Sequence, residues 1–208
     1  MNPGEILKQR MSECPLVAII RGVTPDEVEA VGEAIYEAGI RIIEVPLNSP
    51  NPFESIRRLA AAIGDRALVG AGTVLKVEDV ARVKEVGGQI VVSPSTDADV
   101  IAATAAAGMV SSPGYFTPSE AFLALKSGAH ALKLFPAEGA SPALVKAQRA
   151  VLPKDVPILV VGGVRPDNMR QWLEAGANGF GLGSGVYKPG QSPQEVGAQA
   201  RAYVAGLG

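Results

Sequence analysis

The sequence predicts a (β/α)8 barrel of the α/β class, and three observations support this fold. Eight short apolar, β-branched runs recur at intervals of about 20 to 27 residues. Helical patterns separate these runs, and glycine repeatedly stands where a helix would end before the next strand. Eight parallel strands are the number that closes this barrel. The predicted strands are Leu16–Gly22, Ile42–Leu47, Leu68–Val74, Ile90–Ser95, Met109–Gly114, Ala131–Pro136, Ile158–Gly163 and Gly179–Ser184.

Helix start and stop signals lie between the predicted strands. Proline follows a capping residue at several predicted starts, a placement that favours the first turn of a helix. These starts are Thr24–Glu27, Thr117–Glu120, Ser141–Pro142 and Arg165–Asp167. The predicted stops are Gly39, Gly87, Gly108, Gly128 and Gly176. A further helix, over about residues 3–12 before the first strand, is expected to cover the floor of the barrel.

A doubly wound open sheet is the competing fold. That fold usually brings a glycine fingerprint directly after the first strand. The segment Arg21-Gly22-Val23-Thr24 is not such a fingerprint, so the barrel is favoured. Barrel enzymes carry their chemistry at the C-terminal ends of the strands, and candidate site residues are therefore sought there.

Composition limits the class of protein. The 208 residues, 47% of them hydrophobic, are enough for one sizeable core and predict a single domain over residues 1–208. The net charge of −2, with scattered lysine and arginine, argues against nucleic acid as a partner. No apolar run approaches the roughly 18 residues of a membrane span, and no signal peptide is recognisable. We therefore expect a cytoplasmic protein. The single cysteine, Cys14, and the single histidine, His130, are both interpreted as structural.

Lys133 stands in a short apolar run with no ion-pair partner nearby in the sequence. Burial favours the neutral amine, which is a nucleophile able to form a Schiff base with a carbonyl substrate. The alternatives are a lysine that reaches water at the strand end, or one that pairs with a carboxylate distant in sequence. Strand alternation turns Leu132 and Leu134 outward and Lys133 inward. The same alternation turns Glu44 inward, so both side chains should meet in one cavity.

Other polar residues also fall late in their predicted strands. Arg21 either contacts substrate or simply neutralises Glu44, and Thr73 either contacts substrate or fills a strand position. Pro94 lies near the end of the fourth predicted strand, and Phe135 lies near the end of the sixth.

The last two strands end in glycine-rich segments, Val161-Gly162-Gly163-Val164 and Gly181-Leu182-Gly183-Ser184. Barrels often bind phosphate with the loops after strands seven and eight, because glycine lets the backbone approach the anion. The alternative is that these glycines only make tight turns. Their joint occurrence favours phosphate binding.

Together these motifs resemble the 2-keto-3-deoxy-6-phosphogluconate and phosphogalactonate aldolases, which are class I pyruvate aldolases. The resemblance rests on Arg21-Gly, Glu44-Val-Pro-Leu-Asn-Ser-Pro, Gly70-Ala-Gly-Thr-Val, Ser93-Pro, Lys133-Leu-Phe-Pro, Val161-Gly-Gly-Val and Gly181-Leu-Gly-Ser. It implies that Lys133 forms the Schiff base and that Glu44 moves protons. It further implies substrate contacts by Arg21, Thr73, Pro94, Phe135 and Val161, and phosphate contacts by Gly162, Gly163, Gly183 and Ser184.

The resemblance also implies a phosphorylated 2-keto-3-deoxy sugar acid as substrate, no cofactor, no metal and a homotrimer. Gluconate-type relatives typically carry arginine four residues after the glutamate and threonine before the glycine pair. This chain has Asn48 and Val161 there, which indicates the galactonate branch. The alternatives are the gluconate epimer or both epimers, an isomerase or epimerase that forms no imine, and a non-catalytic phosphosugar-binding barrel.

Overall fold

The computed structural model describes residues 1–208 and contains nine strands and nine α-helices. The strands are β1 (Leu16–Ile19), β2 (Ile42–Pro46), β3 (Leu68–Gly72), β4 (Ile90–Val92), β5 (Val110–Ser112), β6 (Gly114–Tyr115), β7 (Leu132–Leu134), β8 (Ile158–Val161) and β9 (Gly179–Leu182). The helices are α1 (Pro3–Glu13), α2 (Val28–Glu37), α3 (Pro52–Ile63), α4 (Val77–Glu85), α5 (Ala98–Ala106), α6 (Pro118–Lys126), α7 (Pro142–Arg149), α8 (Met169–Glu174) and α9 (Pro193–Ala205). A short 3-10 helix, Ala137–Gly139, follows β7.

All the paired strands are parallel and form one sheet in the order β5-β4-β3-β2-β1-β9-β8-β7-β6. The two edge strands, β5 and β6, are separated only by Pro113. They are the two halves of the predicted fifth strand, interrupted because proline has no N–H to donate to a ladder. The backbone N–H groups of His130 and Lys133 donate to the carbonyl oxygens of Ser111 and Pro113 at 2.9 Å each, which joins the edges. The predicted (β/α)8 barrel is confirmed.

The observed strands end earlier than the sequence suggested. Val161 is the last residue of β8, and the following Gly162 and Gly163 have φ angles of +111° and +63°. Thr73, directly after β3, has φ of +55°. Left-handed backbone cannot continue a ladder, so these residues belong to the loops above the barrel. Arg21, Pro94 and the other predicted contact residues beyond the strand ends are likewise loop residues.

Two of the four predicted helix starts are wrong. The chain at Thr24–Glu27 and at Arg165–Asp167 forms turns, and the helices begin afterwards, at Val28 and Met169. In the second turn the Asn168 side chain accepts from the Arg165 N–H at 2.9 Å, so the polar side chain stabilises a turn before the helix. Thr117 and Ser141 do cap α6 and α7 as predicted. The five predicted glycine stops all have positive φ angles, between 70° and 111°.

The barrel interior is closed from below by α1. Leu7 is 1% exposed and packs with the inward-facing residues of the lower strands, among them Val17, Ile42 and Leu68. Asn2 caps the helix with a complete capping box, which fixes where it begins. The expectation that this helix covers the floor is therefore confirmed.

The outer face of the sheet packs against the helices in an apolar core of 45 buried residues, which includes Ile43, Val45, Leu132 and Leu134. Alternation sends the intervening residues of β2 and β7 to the barrel interior. No helix has both the length and the apolar character needed to cross a membrane.

Candidate active site

A cleft of about 820 Å³ opens at the C-terminal ends of the strands. It is lined by residues of the loops that follow β1, β3, β4, β7, β8 and β9. Ten of the eleven residues proposed from the sequence line it: Arg21, Thr73, Pro94, Lys133, Phe135, Val161, Gly162, Gly163, Gly183 and Ser184. The eleventh, Glu44, lines a narrow space directly below, and Lys133 and Val161 line both spaces. The fold therefore brings all eleven together.

Lys133 lies in β7 and points into the barrel. Its side chain is buried, with the residue 6% exposed, and it takes part in none of the ten ion pairs of the chain. The Phe135 ring centroid lies 5.0 Å from Nζ. Burial lowers the pKa of Lys133, the negative charge of Glu44 opposes this, and the positive charge of Arg21 lowers the pKa further. The amine is thus poised toward its neutral, nucleophilic form.

Glu44 lies in β2 and is 1% exposed. Burial raises the pKa of Glu44 to about 7, while the positive charges of Lys133 and Arg21 hold it lower than burial alone would. Its Oε2 atom is buried and has no hydrogen-bond partner. A carboxyl group with this pKa can accept or donate a proton near neutral pH.

Gly72, at the end of β3, makes the room for this carboxyl group. A Cβ atom at position 72 would overlap both carboxylate oxygens of Glu44. The Gly70-Ala71-Gly72 segment therefore has a packing reason to carry glycine at its third position. The carboxyl group of Glu44 therefore packs against the backbone of Gly72, inside the barrel.

Arg21 does not form an ion pair with Glu44, so that alternative from the sequence is wrong. Its guanidinium donates to the Asn48 side-chain oxygen and to the Thr73 hydroxyl, the latter at 3.4 Å. The left-handed backbone of Thr73, which is unusual for a β-branched residue, turns this hydroxyl toward Arg21. The three side chains form a polar cluster on the wall of the cleft. Its positive charge is not cancelled by any carboxylate within ion-pair distance.

The loops after β9 and β8 form the adjoining wall, since β9 pairs with β1 and β8 pairs with β9. The β8 loop is held from behind, since Asn168 Nδ2 donates to the Gly163 carbonyl oxygen and Tyr203 Oη donates to the Val164 carbonyl oxygen, both at 2.9 Å. A Cβ atom at Gly183 would meet nothing within 4 Å, and Ser184 is exposed. The bare backbone of Gly183 leaves space for a bulky anion beside the β9 loop.

Several cleft residues were not proposed from the sequence. Glu138, in the 3-10 helix after β7, places its carboxylate against Gly162, where a Cβ atom would overlap it. Arg165 and Lys188 line the cleft beside the two glycine segments. Each is a charged residue within a few positions of a strand end, and this signal was present in the sequence. The fold nowhere gathers three His, Cys, Asp or Glu side chains that could hold a metal ion.

Comparison with known proteins gives consistent matches. The sequence profile of the KDPG and KHG aldolases matches residues 7–195. The chain is 46% identical over 196 residues to a 2-dehydro-3-deoxy-6-phosphogalactonate aldolase of Escherichia coli, covering 94% of this chain and 96% of the relative. It is 47% identical over 193 residues to a probable aldolase of the same description from Rhizobium meliloti, covering 93% and 91%.

Solved structures match equally well. A native KDPGal structure is 46% identical with a TM-score of 0.92, covering 94% of this chain and 95% of that one. A cube-shaped protein cage designed by fusing symmetric oligomeric domains is 47% identical with a TM-score of 0.91, covering 93% of this chain and 72% of that one. The resemblance stated from the sequence motifs is confirmed. The chain belongs to the KDPG and KHG aldolase family of lyases.

Proposed function

We propose that the chain is a class I aldolase that cleaves 2-dehydro-3-deoxy-6-phosphogalactonate into pyruvate and D-glyceraldehyde 3-phosphate. The observation that carries the proposal is Lys133, a buried amine with a lowered pKa and no ion-pair partner, which shares a cavity with Glu44. A non-catalytic binding barrel has no need of a buried lysine and a buried glutamate together, since each is costly to desolvate.

The reaction begins at Lys133. Its neutral amine attacks the C2 ketone of the substrate, and uptake of one proton with loss of water gives a protonated imine; the same proton is released when the imine is hydrolysed at the end of the cycle. Glu44, in its ionised form, removes the proton of the C4 hydroxyl directly or through a water molecule. The C3–C4 bond then breaks, its electron pair forms a double bond between C2 and C3, the π pair of the iminium moves to nitrogen, and the aldehyde product forms. This leaves a pyruvate enamine on Lys133.

Glu44 also serves the second half of the reaction. It now holds the proton taken from the hydroxyl and returns it to C3 of the enamine, which restores the imine. Water hydrolyses the imine, releasing pyruvate and the free amine. A pKa of about 7 suits both directions of this transfer, because neither the acid nor the base form is rare near neutral pH.

The two walls of the cleft hold the ends of the substrate. Arg21, fixed by Asn48 and Thr73, offers charge to the carboxylate or to the polar middle of the molecule. The glycine turns at Gly162, Gly163, Gly183 and Ser184 receive the phosphate through backbone donors. Binding both ends keeps the reacting carbons in register with Lys133 and Glu44.

The choice of epimer rests on two positions. Asn48 accepts a hydrogen bond from Arg21, and by the resemblance it stands where the gluconate-type relatives typically carry arginine. Val161 is buried, lines the cavity beside Lys133 and brings no hydroxyl to the C4 region of the substrate. Both relatives described above carry the phosphogalactonate name, which supports the same choice.

We expect kcat/KM for the galactonate epimer to exceed that for the gluconate epimer by about tenfold or more, the effect of one or two contacts. Pyruvate release from each pure epimer, followed with a coupled dehydrogenase, measures this ratio. Val161→Thr, which adds a hydroxyl, should shift the ratio toward the gluconate epimer. Faster cleavage of the gluconate epimer by the native chain would refute the assignment, whereas cleavage of neither would refute the aldolase function.

We further propose that the chain assembles as a homotrimer. The family resemblance implies this state, and the similar cage protein is built from symmetric oligomeric domains. Large apolar side chains are exposed on the helical layer, including Phe122 and Leu123 of α6, which are 48% and 44% exposed. Light scattering should give a mass three times the 21.4 kDa of one chain. A mass of one or two chains across the micromolar range would contradict the trimer.

A further inference from the structure

Lys188, in the loop after β9, is a cation that the proposed reaction does not yet use. It is exposed and lines the same cleft as Gly183 and Ser184. It takes part in none of the ten ion pairs of the chain. A lone exposed lysine is ordinarily only a solvated surface charge. Two further observations distinguish Lys188 from an ordinary solvated surface lysine.

The first observation is that the backbone around Lys188 is anchored on both sides. Tyr187 is 2% exposed, and its hydroxyl donates to the Glu27 carboxylate. The ring of Pro189 lies against Gly22, where a Cβ atom would stand 2.7 Å from the Pro189 Cγ. The Lys188 N–H itself donates to the Gln191 side chain at 2.7 Å. The side chain of Lys188 therefore extends from a fixed point on the cleft rim.

The second observation is the distribution of charge in the cleft. Arg21 and Lys133 lie toward the reacting end, where Arg21 is engaged with Asn48 and Thr73. At the glycine end, Arg165 already pairs with Asp167 at 3.1 Å. Glu138, which belongs to no ion pair, places a carboxylate against Gly162. Backbone N–H groups bring partial charges only, so a phosphate dianion bound there would face the carboxylate of Glu138. Lys188, in the loop after β9, is a cation of this end of the cleft that has no carboxylate partner.

We propose that Lys188 is a specificity-determining residue whose ammonium pairs with the substrate phosphate held at the two glycine turns. The inference rests on the proposed function and deepens it. Glycine turns accept any compact anion or polar group, whereas an added cation strengthens the binding of a phosphate ester, which carries a double negative charge. Lys188 thus makes the cleft prefer phosphorylated over unphosphorylated 2-keto-3-deoxy sugar acids.

The test compares Lys188→Gln with Lys154→Gln, a matched control. Lys154 is an exposed lysine in the loop before β8, at the opposite end of the barrel, and it also has no ion pair. Steady-state kinetics are measured with the phosphorylated acid and with the same acid lacking phosphate. Lys188→Gln should raise KM for the phosphorylated acid by about five- to thirtyfold with kcat unchanged, the size expected for one charge-assisted contact.

For the unphosphorylated acid, Lys188→Gln should leave KM unchanged, and Lys188→Arg should restore most of the affinity for the phosphorylated one. Added salt should raise KM of the native chain more steeply than that of Lys188→Gln, since screening removes the same attraction. An equal rise in KM for both acids would assign Lys188 a purely structural role in the loop, and an unchanged KM for both would overturn the inference.

Calorimetric titration with inorganic phosphate gives a readout that does not depend on turnover. Phosphate should bind the native chain and Lys154→Gln alike, and Lys188→Gln about five- to thirtyfold more weakly. If the native chain cleaves neither epimer, the proposed function fails, and the phosphate titration still decides the role of Lys188. If the native chain is active but phosphate binds all three proteins equally, only the inference about Lys188 fails.

Discussion

Lys133→Met is expected to lower kcat by about 10⁴-fold or more, because no other buried amine lies in the cavity to form the imine. Methionine has a similar length and no charge, so the barrel should remain folded. Removing a buried amino group that has no ion-pair partner should leave the melting temperature unchanged or higher. Turnover is measured by pyruvate release, and folding by circular dichroism with a thermal scan.

Borohydride trapping identifies the amine directly. Incubation of the native chain with pyruvate and borohydride should give one reduced pyruvate adduct by intact mass, which peptide mapping places on Lys133. Lys133→Met should give none, while Lys154→Met, an exposed control, should react like the native chain. A folded native chain that forms no adduct would favour an isomerase or epimerase without an imine, or a binding protein. Undiminished turnover in Lys133→Met would exclude the Schiff base.

Glu44→Gln is expected to reduce kcat for cleavage by about 10²- to 10⁴-fold, the usual contribution of a positioned acid–base group. Glutamine keeps the shape that Gly72 accommodates but cannot accept the hydroxyl proton. Imine formation depends on Lys133, so pyruvate should still be trapped on this variant. Normal cleavage by Glu44→Gln would remove Glu44 from the mechanism, and loss of both trapping and folding would mean that the substitution acts on structure instead.

The pH dependence of activity gives Glu44 a second signature. Because burial raises the pKa of Glu44 to about 7, its base form accumulates as the pH rises through about 7. We expect kcat/KM of the native chain to rise over this range. The part of the rise due to Glu44 should be absent from the residual activity of Glu44→Gln. An identical rise in both proteins would assign the titration to another group.

Stability should change with pH in the opposite direction. The folded-state pKa of about 7 lies above the ordinary value of 4.5, so the folded state binds the proton more tightly. The stability from this group is fully present below pH 4.5 and is lost as the pH rises through about 7. Glu44→Gln carries no such charge, so its melting temperature relative to the native chain should be higher at pH 8 than at pH 5.

The inward positions of Glu44 and Lys133 could be predicted because strand alternation is a local rule. Leu132 and Leu134 pack outward in the core, which leaves only the interior for Lys133. The same local rule explains why the strand count and the floor helix were predictable. The repeated glycine stops and the period of about 20 to 27 residues can be recognised without knowing which distant residues are in contact.

The partners of the site residues could not be predicted in this way. Arg21 and Asn48 are 27 positions apart, and their contact depends on how the loops after β1 and β2 fold over the barrel. Glu138 reaches Gly162 across two neighbouring loops, which no periodicity reveals. The early strand ends have the same origin, since the left-handed backbone at Thr73 serves a long-range contact instead of a local preference.

The interruption at Pro113 has a consequence for how copies of the chain can meet. An open sheet exposes two rows of unpaired backbone groups, and each row can recruit a strand from another molecule. Here both edges belong to the same interrupted strand. Hydrogen bonds from the backbone around the start of β7 to the carbonyl oxygens of Ser111 and Pro113 join these two edges. No edge is left on which a second chain could extend the sheet. Closure of the edges therefore protects the chain from fibrous aggregation by strand addition. The proposed trimer has to form through side chains instead, and Phe122 and Leu123 are large apolar side chains exposed on the helical layer.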